Sequence, residues 1–149
     1  MKKPLLPFMA LIGLAALPPA FAGTPWLEWT RSSTLQLVGR CDSRSSRWEG
    51  HAIYSYCEVS ALRIVHGEPE PGLVVRQRGG EVDGIAQRVS HVTPMEPGGI
   101  YLLFLARDSS GAWSPTSKGV NRVVESSDLG DTVGGEPLGE VIRQLGGGN

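Results

Sequence analysis

The side chains here that could do chemistry are two cysteines, three histidines and scattered serines and carboxylates. Their spacing decides which chemistry is open to them. A zinc site needs three or four ligands, usually with two close together so that one rigid element presents both. His51, His66 and His91 lie far apart, with no H-E-x-x-H or H-x-H, so they read as isolated surface histidines. Cys41 and Cys57 lack the C-x-x-C spacing of a redox motif and have no third thiolate for a metal. A serine nucleophile needs a base and an orienting acid. The serines of this chain sit in polar turns, and no G-x-S-x-G elbow is present. The glycine-rich segments match neither the phosphate loop nor the dinucleotide fingerprint. Glu68/Glu70 and Glu81/Asp83 stand beside Gly or Pro, as solvated turn carboxylates do. The expectation is a chain with no catalytic, cofactor-binding or metal-binding residues.

Binding chemistry is better represented. Arg44, Arg47 and Trp48 fall in the polar run between the cysteines. An Arg-Trp pair there has the composition of a protein-binding hot spot, so these three form the candidate protein-binding surface. The competing account has Trp48 folding back over the mouth of the domain. An even number of cysteines in an oxidising compartment argues for one disulfide, Cys41 to Cys57. A hairpin centred near Glu49 would set the two opposite each other on neighbouring strands, within disulfide reach.

The elements that must position these residues are short and β-rich. Thr34 to Cys41 alternates as a strand, and Asp42 to Gly50 reads as a polar loop. His51 to Val65 reads as a long strand whose apolar phase switches between Val59 and Leu62, a sign of a bulge or bend. After the Pro/Gly connector at 66–72 come strands at Leu73 to Arg78, Ala86 to Val89, Ile100 to Ala106 and Gly119 to Val124. Trp26 to Arg31 reads as a short helical or irregular lead-in. Pro137 opens a helix that places Leu138, Val141, Ile142 and Leu145 on one face, with Gly146 at its end. Five or six strands and one short C-terminal helix predict a mainly β protein, a small antiparallel barrel.

The domain is expected to span residues 23–146, with 147–149 a flexible end. Residues 1–22 read as a cleavable signal peptide. Lys2 and Lys3 form a basic n-region, an apolar stretch follows to Leu17, and Ala20-Phe21-Ala22 offers a small-x-small cleavage site. The expected location is periplasmic or secreted, with no membrane insertion after cleavage. Loss of Lys2 and Lys3 takes the formal charge from −1 to −3. A net acidic chain without an arginine run interleaved with aromatics offers nothing to nucleic acid.

One set of segments resembles a known family. Val38-Gly39-Arg40 is followed by a long strand ending in His66-Gly67. Next come Val74-Val75-Arg76-Gln77 with Gly79-Gly80, Pro97-Gly98-Gly99 and Tyr101-Leu102-Leu103-Phe104-Leu105. This order is similar to exported bacterial domains of unassigned activity with an OB-type barrel. Those domains in turn resemble tissue inhibitors of metalloproteinases and netrin-like modules. The resemblance implies an OB-like barrel, and a secreted protease as the partner class. It carries no inhibitory mechanism over, because the inhibitors chelate zinc with an N-terminal cysteine and the expected mature end here is Gly23-Thr24-Pro25-Trp26. The functional expectation is an exported, non-enzymatic binding module that interacts with or modulates a secreted protease, with another envelope protein as the alternative partner. The alternatives are a small extracytoplasmic hydrolase with a site assembled only in the fold, and a structural accessory of the cell envelope.

Overall fold

The computed structural model describes residues 25–146. The signal peptide and the flexible end expected at 147–149 lie outside the described residues. The elements run α1 (Pro25–Thr30), β1 (Leu35–Glu49), β2 (Ala52–His66), β3 (Val74–Arg78), β4 (Gly80–Val82), β5 (Ile85–Gln87), β6 (Ile100–Arg107), β7 (Trp113–Ser126), β8 (Gly130–Val133), β9 (Glu136–Pro137) and α2 (Leu138–Gly146).

The main sheet has the order β3-β2-β1-β6-β7-β8-β9, and a further pairing of β3 with β7 closes its first five strands into a barrel-like ring. Every pairing around the ring is antiparallel except that closure, a parallel bridge at Val75 and Trp113. The mainly β fold with a short C-terminal helix agrees with the sequence. β4 and β5 form a separate small hairpin, and β8 and β9 extend the sheet beyond the ring.

The ring needs sharp bending, and its first hairpin supplies it. Val38 pairs with Arg63 and Gly39 with Ala61, so Leu62 is an extra residue in β2, at the point where the apolar phase switches. Val65, between the Gln36–His66 and Leu37–Ile64 pairs, is a second extra residue of β2, and Asp42 is an extra residue of β1 between Cys41 and Ser43. Gly39 is needed at the bend: a Cβ there would come within 2.5 Å of Val59 and 2.8 Å of Leu37.

Two apolar layers hold the fold. Inside the ring, Leu35, Leu37, Cys41, Cys57, Val75, Met95, Tyr101, Leu103 and Leu105 are buried together. On the outer side of β1 and β6, Trp26 of α1 and Val141 and Ile142 of α2 pack with Val38, Leu102, Phe104 and Val133. β6 is thus buried on both faces, which explains its unbroken apolar run.

The stretch expected to be a polar loop, Asp42 to Gly50, is instead strand as far as Glu49 and forms the second half of β1. It pairs with β2 through Glu49 and Ala52, leaving only Gly50 and His51 as the turn. Gly50 sits at φ 63°, in the left-handed region that such tight turns require.

Candidate functional site

Once Asp42 to Glu49 is a strand, its side chains alternate between two faces. Pairing of Arg44 with Cys57, Ser46 with Ser55 and Trp48 with Ile53 sets these residues on the inner face. Arg47 and Glu49 take the outer face, with Tyr54 and Tyr56. The three residues expected to form one surface therefore do not share one. Arg44 turns inward, its side chain only 20% exposed. Arg47 projects outward, its guanidinium 4.2 Å from the centre of the Tyr56 ring. Trp48, next to the hairpin turn, is 42% exposed.

Beside the inner face lies a groove of about 730 Å³, lined by Arg44, Ser46, Arg78, Gln87, Arg88 and Glu96 among others. Arg44 Nη2 donates to Ser55 Oγ at 3.1 Å, and the Ser55 hydroxyl donates to the Gly79 carbonyl at 2.7 Å. Ser46 Oγ lies 2.8 Å from Ser55 Oγ in the same chain of contacts. The backbone comes close enough here to demand glycine: a Cβ on Gly80 would lie 2.5 Å from both serine oxygens. The β4–β5 hairpin is fastened over this region by Gln87, which accepts from the Ile53 amide at 2.7 Å and donates to the His51 carbonyl at 3.2 Å. Gln77, 4% exposed, ties in the connector that follows by donating to the Thr93 carbonyl and accepting from the Met95 amide.

On the opposite face, Arg76 fastens the hairpin to the rest of the ring. Its guanidinium lies 3.6 Å from the centre of the Tyr54 ring and donates to Glu49 at 2.6 Å, to Asp108 at 3.1 Å and to the Tyr56 hydroxyl at 3.2 Å. The Tyr56 hydroxyl also donates to Glu49. β1, β2, β3 and the turn after β6 are thereby joined through one cation. The sequence reading missed this cluster, because its members are scattered over sixty residues and only the outward alternation of Tyr54 and Tyr56 hinted at it.

The same contacts fix the protonation of the cluster. Hydrogen bonds from Tyr56 and Arg76 hold the Glu49 carboxyl down at about 2. Bonds from Ser110 and Ser114 hold Asp108 well below the usual carboxylate range. A depressed carboxyl contributes stability that is complete above its unfolded value of about 4.3 and is lost as the pH falls through the folded value. Stability should therefore drop between about pH 4.5 and 2. Glu49→Gln should flatten that slope, since a neutral amide has no proton to gain. Urea midpoints measured across this range check it, and an unchanged slope would show that Glu49 is not held in this way.

Cys41 and Cys57 both point into the ring, as separate buried thiols. The expectation that they stand opposite each other needs correction. The turn centres between Gly50 and His51 rather than near Glu49, so Cys41 faces Val59 and Cys57 faces Arg44, and the two cysteines are diagonal neighbours. Burial raises the Cys41 thiol, and burial together with the neighbouring Cys41 pushes Cys57 up to about 12. Thiols held protonated are poor nucleophiles. A bond between them would add about 3 kcal/mol of stability. Protein recovered from an oxidising compartment and unfolded in alkylating agent should label neither cysteine before reduction and both after it. Labelling of both without reduction would rule the bond out.

The remaining candidates stay apart. His51 lies in the β1–β2 turn, His66 ends β2, and His91 lies in the connector before β6. Among the described residues no three histidine, cysteine or carboxylate side chains are grouped to hold a metal ion. Glu70 is paired with Arg107, Glu81 lines the groove, and Asp83 occupies the β4–β5 turn at φ 50°. Among the described residues no helix is long and apolar enough to cross a membrane. No family model matches the chain, and no similar curated protein or solved structure was found.

Proposed function

We propose that this chain is an exported, non-enzymatic binding module that works in the periplasm or outside the cell. Its partner is a protein, with secreted proteases as the partner class, and the β1–β2 hairpin is the element that makes contact. The observation carrying this reading is Trp48, 42% exposed at the end of a hairpin that Arg76 ties to Glu49 and Asp108. A large aromatic side chain on a pre-ordered support offers apolar contact area with little conformational entropy left to lose on docking. The resemblance to inhibitor-like domains supports the choice of partner class.

The test is photo-crosslinking in the native compartment. Benzoylphenylalanine at position 48 should capture a secreted protease, and the same group at Leu129, an exposed site on the far side of the sheet order, should not. Equal capture at both positions, or no protease at position 48, overturns the proposal.

A further inference from the structure

The groove lined by Arg44 and Ser46 contains a cation whose contacts are incomplete. Arg44 Nε is buried and has no acceptor. Its Nη1 has only a long contact, 3.5 Å, to Glu96, and that carboxylate side chain is 55% exposed. Arg78 and Arg88 line the same groove, and neither has a carboxylate within ion-pair distance among the described residues. Arg40 and Arg47 of β1 and Arg76 of β3 differ, each with a carboxylate within 3.2 Å, whereas Arg63 near the end of β2 has none but lies away from the groove. Buried guanidinium groups ordinarily have their donors satisfied, so a loosely held one beside two free cations marks a place for an anion.

We infer that this groove binds a carboxylate group of the partner polypeptide, seated on Arg44 with Arg78 and Arg88 at its sides, and that Glu96 occupies the seat in the free protein. The inference rests on the binding-module reading and adds the chemistry of the bound segment. Glu96 is a weak occupant: it is half in solvent, and swinging outward costs it one long contact. A partner carboxylate gains Arg44 and the two unpaired arginines together. The seat fits the planar fork of a carboxylate, which guanidinium groups match through paired donors. Register sets Trp48 on the same strand face as Arg44 and Ser46. A bound segment would therefore lay an apolar residue on Trp48 and an acidic group in the groove.

The acidic group could be a side chain or a chain terminus, and three peptide probes separate these sources. Hexaglutamate with an amidated end carries side-chain carboxylates only, hexaglutamine with a free end carries one terminal carboxylate, and amidated hexaglutamine carries neither. Binding is read from the Arg44 Nε–H signal in nitrogen-edited NMR spectra, assigned by its loss in Arg44→Lys. The expected result is a shift of that signal with one or both carboxylate-bearing peptides and none with amidated hexaglutamine. Glu96→Gln, which removes the resident competitor, should tighten binding, and Arg88→Ala should weaken it, each by about tenfold. Arg63→Ala, at the other end of β2, should leave it unchanged.

An unmoved Arg44 signal with all three peptides, weaker binding in Glu96→Gln, or equal losses from Arg88→Ala and Arg63→Ala would overturn the inference. Failure here is separable from failure of the binding module. A partner captured at position 48 whose affinity ignores Glu96→Gln and Arg88→Ala leaves the module standing and removes the carboxylate seat.

Discussion

Phe104→Ala should destabilise the protein by about 3–5 kcal/mol, the usual cost of emptying a fully buried aromatic site. Phe104 is 0% exposed on the outer side of β6. Its ring lies 6.3 Å from that of Trp26 in a stacked arrangement and 6.1 Å from that of Trp29, nearly edge-on. The two tryptophans meet each other at 4.9 Å, and Trp26 Nε1 donates to Glu136 at 2.6 Å. α1 is only six residues long, too short to persist without packing. Phe104 is the surface on which it rests, and α2 closes the same layer with Val141 and Ile142. Small domains are stable by about 5–15 kcal/mol, so this single change would consume a large part of the margin. Denaturant unfolding measures the loss, and amide exchange at Val141 and Ile142 should accelerate with it. A loss under about 1 kcal/mol would mean that the helical layer contributes little.

How far such features could be read beforehand depends on what burial does to the pattern. β6 was legible because both its faces are covered: Tyr101, Leu103 and Leu105 face the inside of the ring, and Leu102 and Phe104 lie under the helices, so the run is apolar throughout. The bulge at Leu62 was legible as a change of phase in β2. The distal half of β1 was not. Its inner face carries Arg44 and Ser46, which both bond the Ser55 hydroxyl, and polar alternation leaves no trace in hydrophobic periodicity. β8 and β9, of four and two residues, are too short to show a period at all.

The same physics divided the candidate site. Trp48 could be singled out from composition, as an aromatic in a polar run. That Arg44 and Arg47 serve opposite faces could not, because a segment read as a loop has no faces, whereas a paired strand has two. The Arg76 cluster was hidden for another reason. It joins residues from four parts of the chain that only ring closure brings together, and each of its members taken alone is an ordinary surface charge or a tyrosine.

Trp48→Ala should weaken binding of the captured partner by about 2 kcal/mol or more, close to thirtyfold in affinity. The melting temperature should barely move. Trp48 is 42% exposed, and it belongs to neither of the two buried clusters. The residues that hold its hairpin in place are Glu49, Tyr56 and Arg76, all left intact by the substitution. Arg76→Ala supplies the contrast. It cuts the ties to Glu49 and Asp108, so it should lower the melting temperature and also weaken binding, by freeing the hairpin whose order lowers the entropy lost on docking. Thermal melts and binding isotherms on the two variants therefore separate contact from support: affinity alone for Trp48, stability and affinity together for Arg76. The opposite pattern for Trp48→Ala, a lower melting temperature with the affinity of the folded protein unchanged, would mean that the indole covers the barrel mouth. The hairpin tip would then lose its place as the contact element, and the binding-module proposal would lose the observation that carries it.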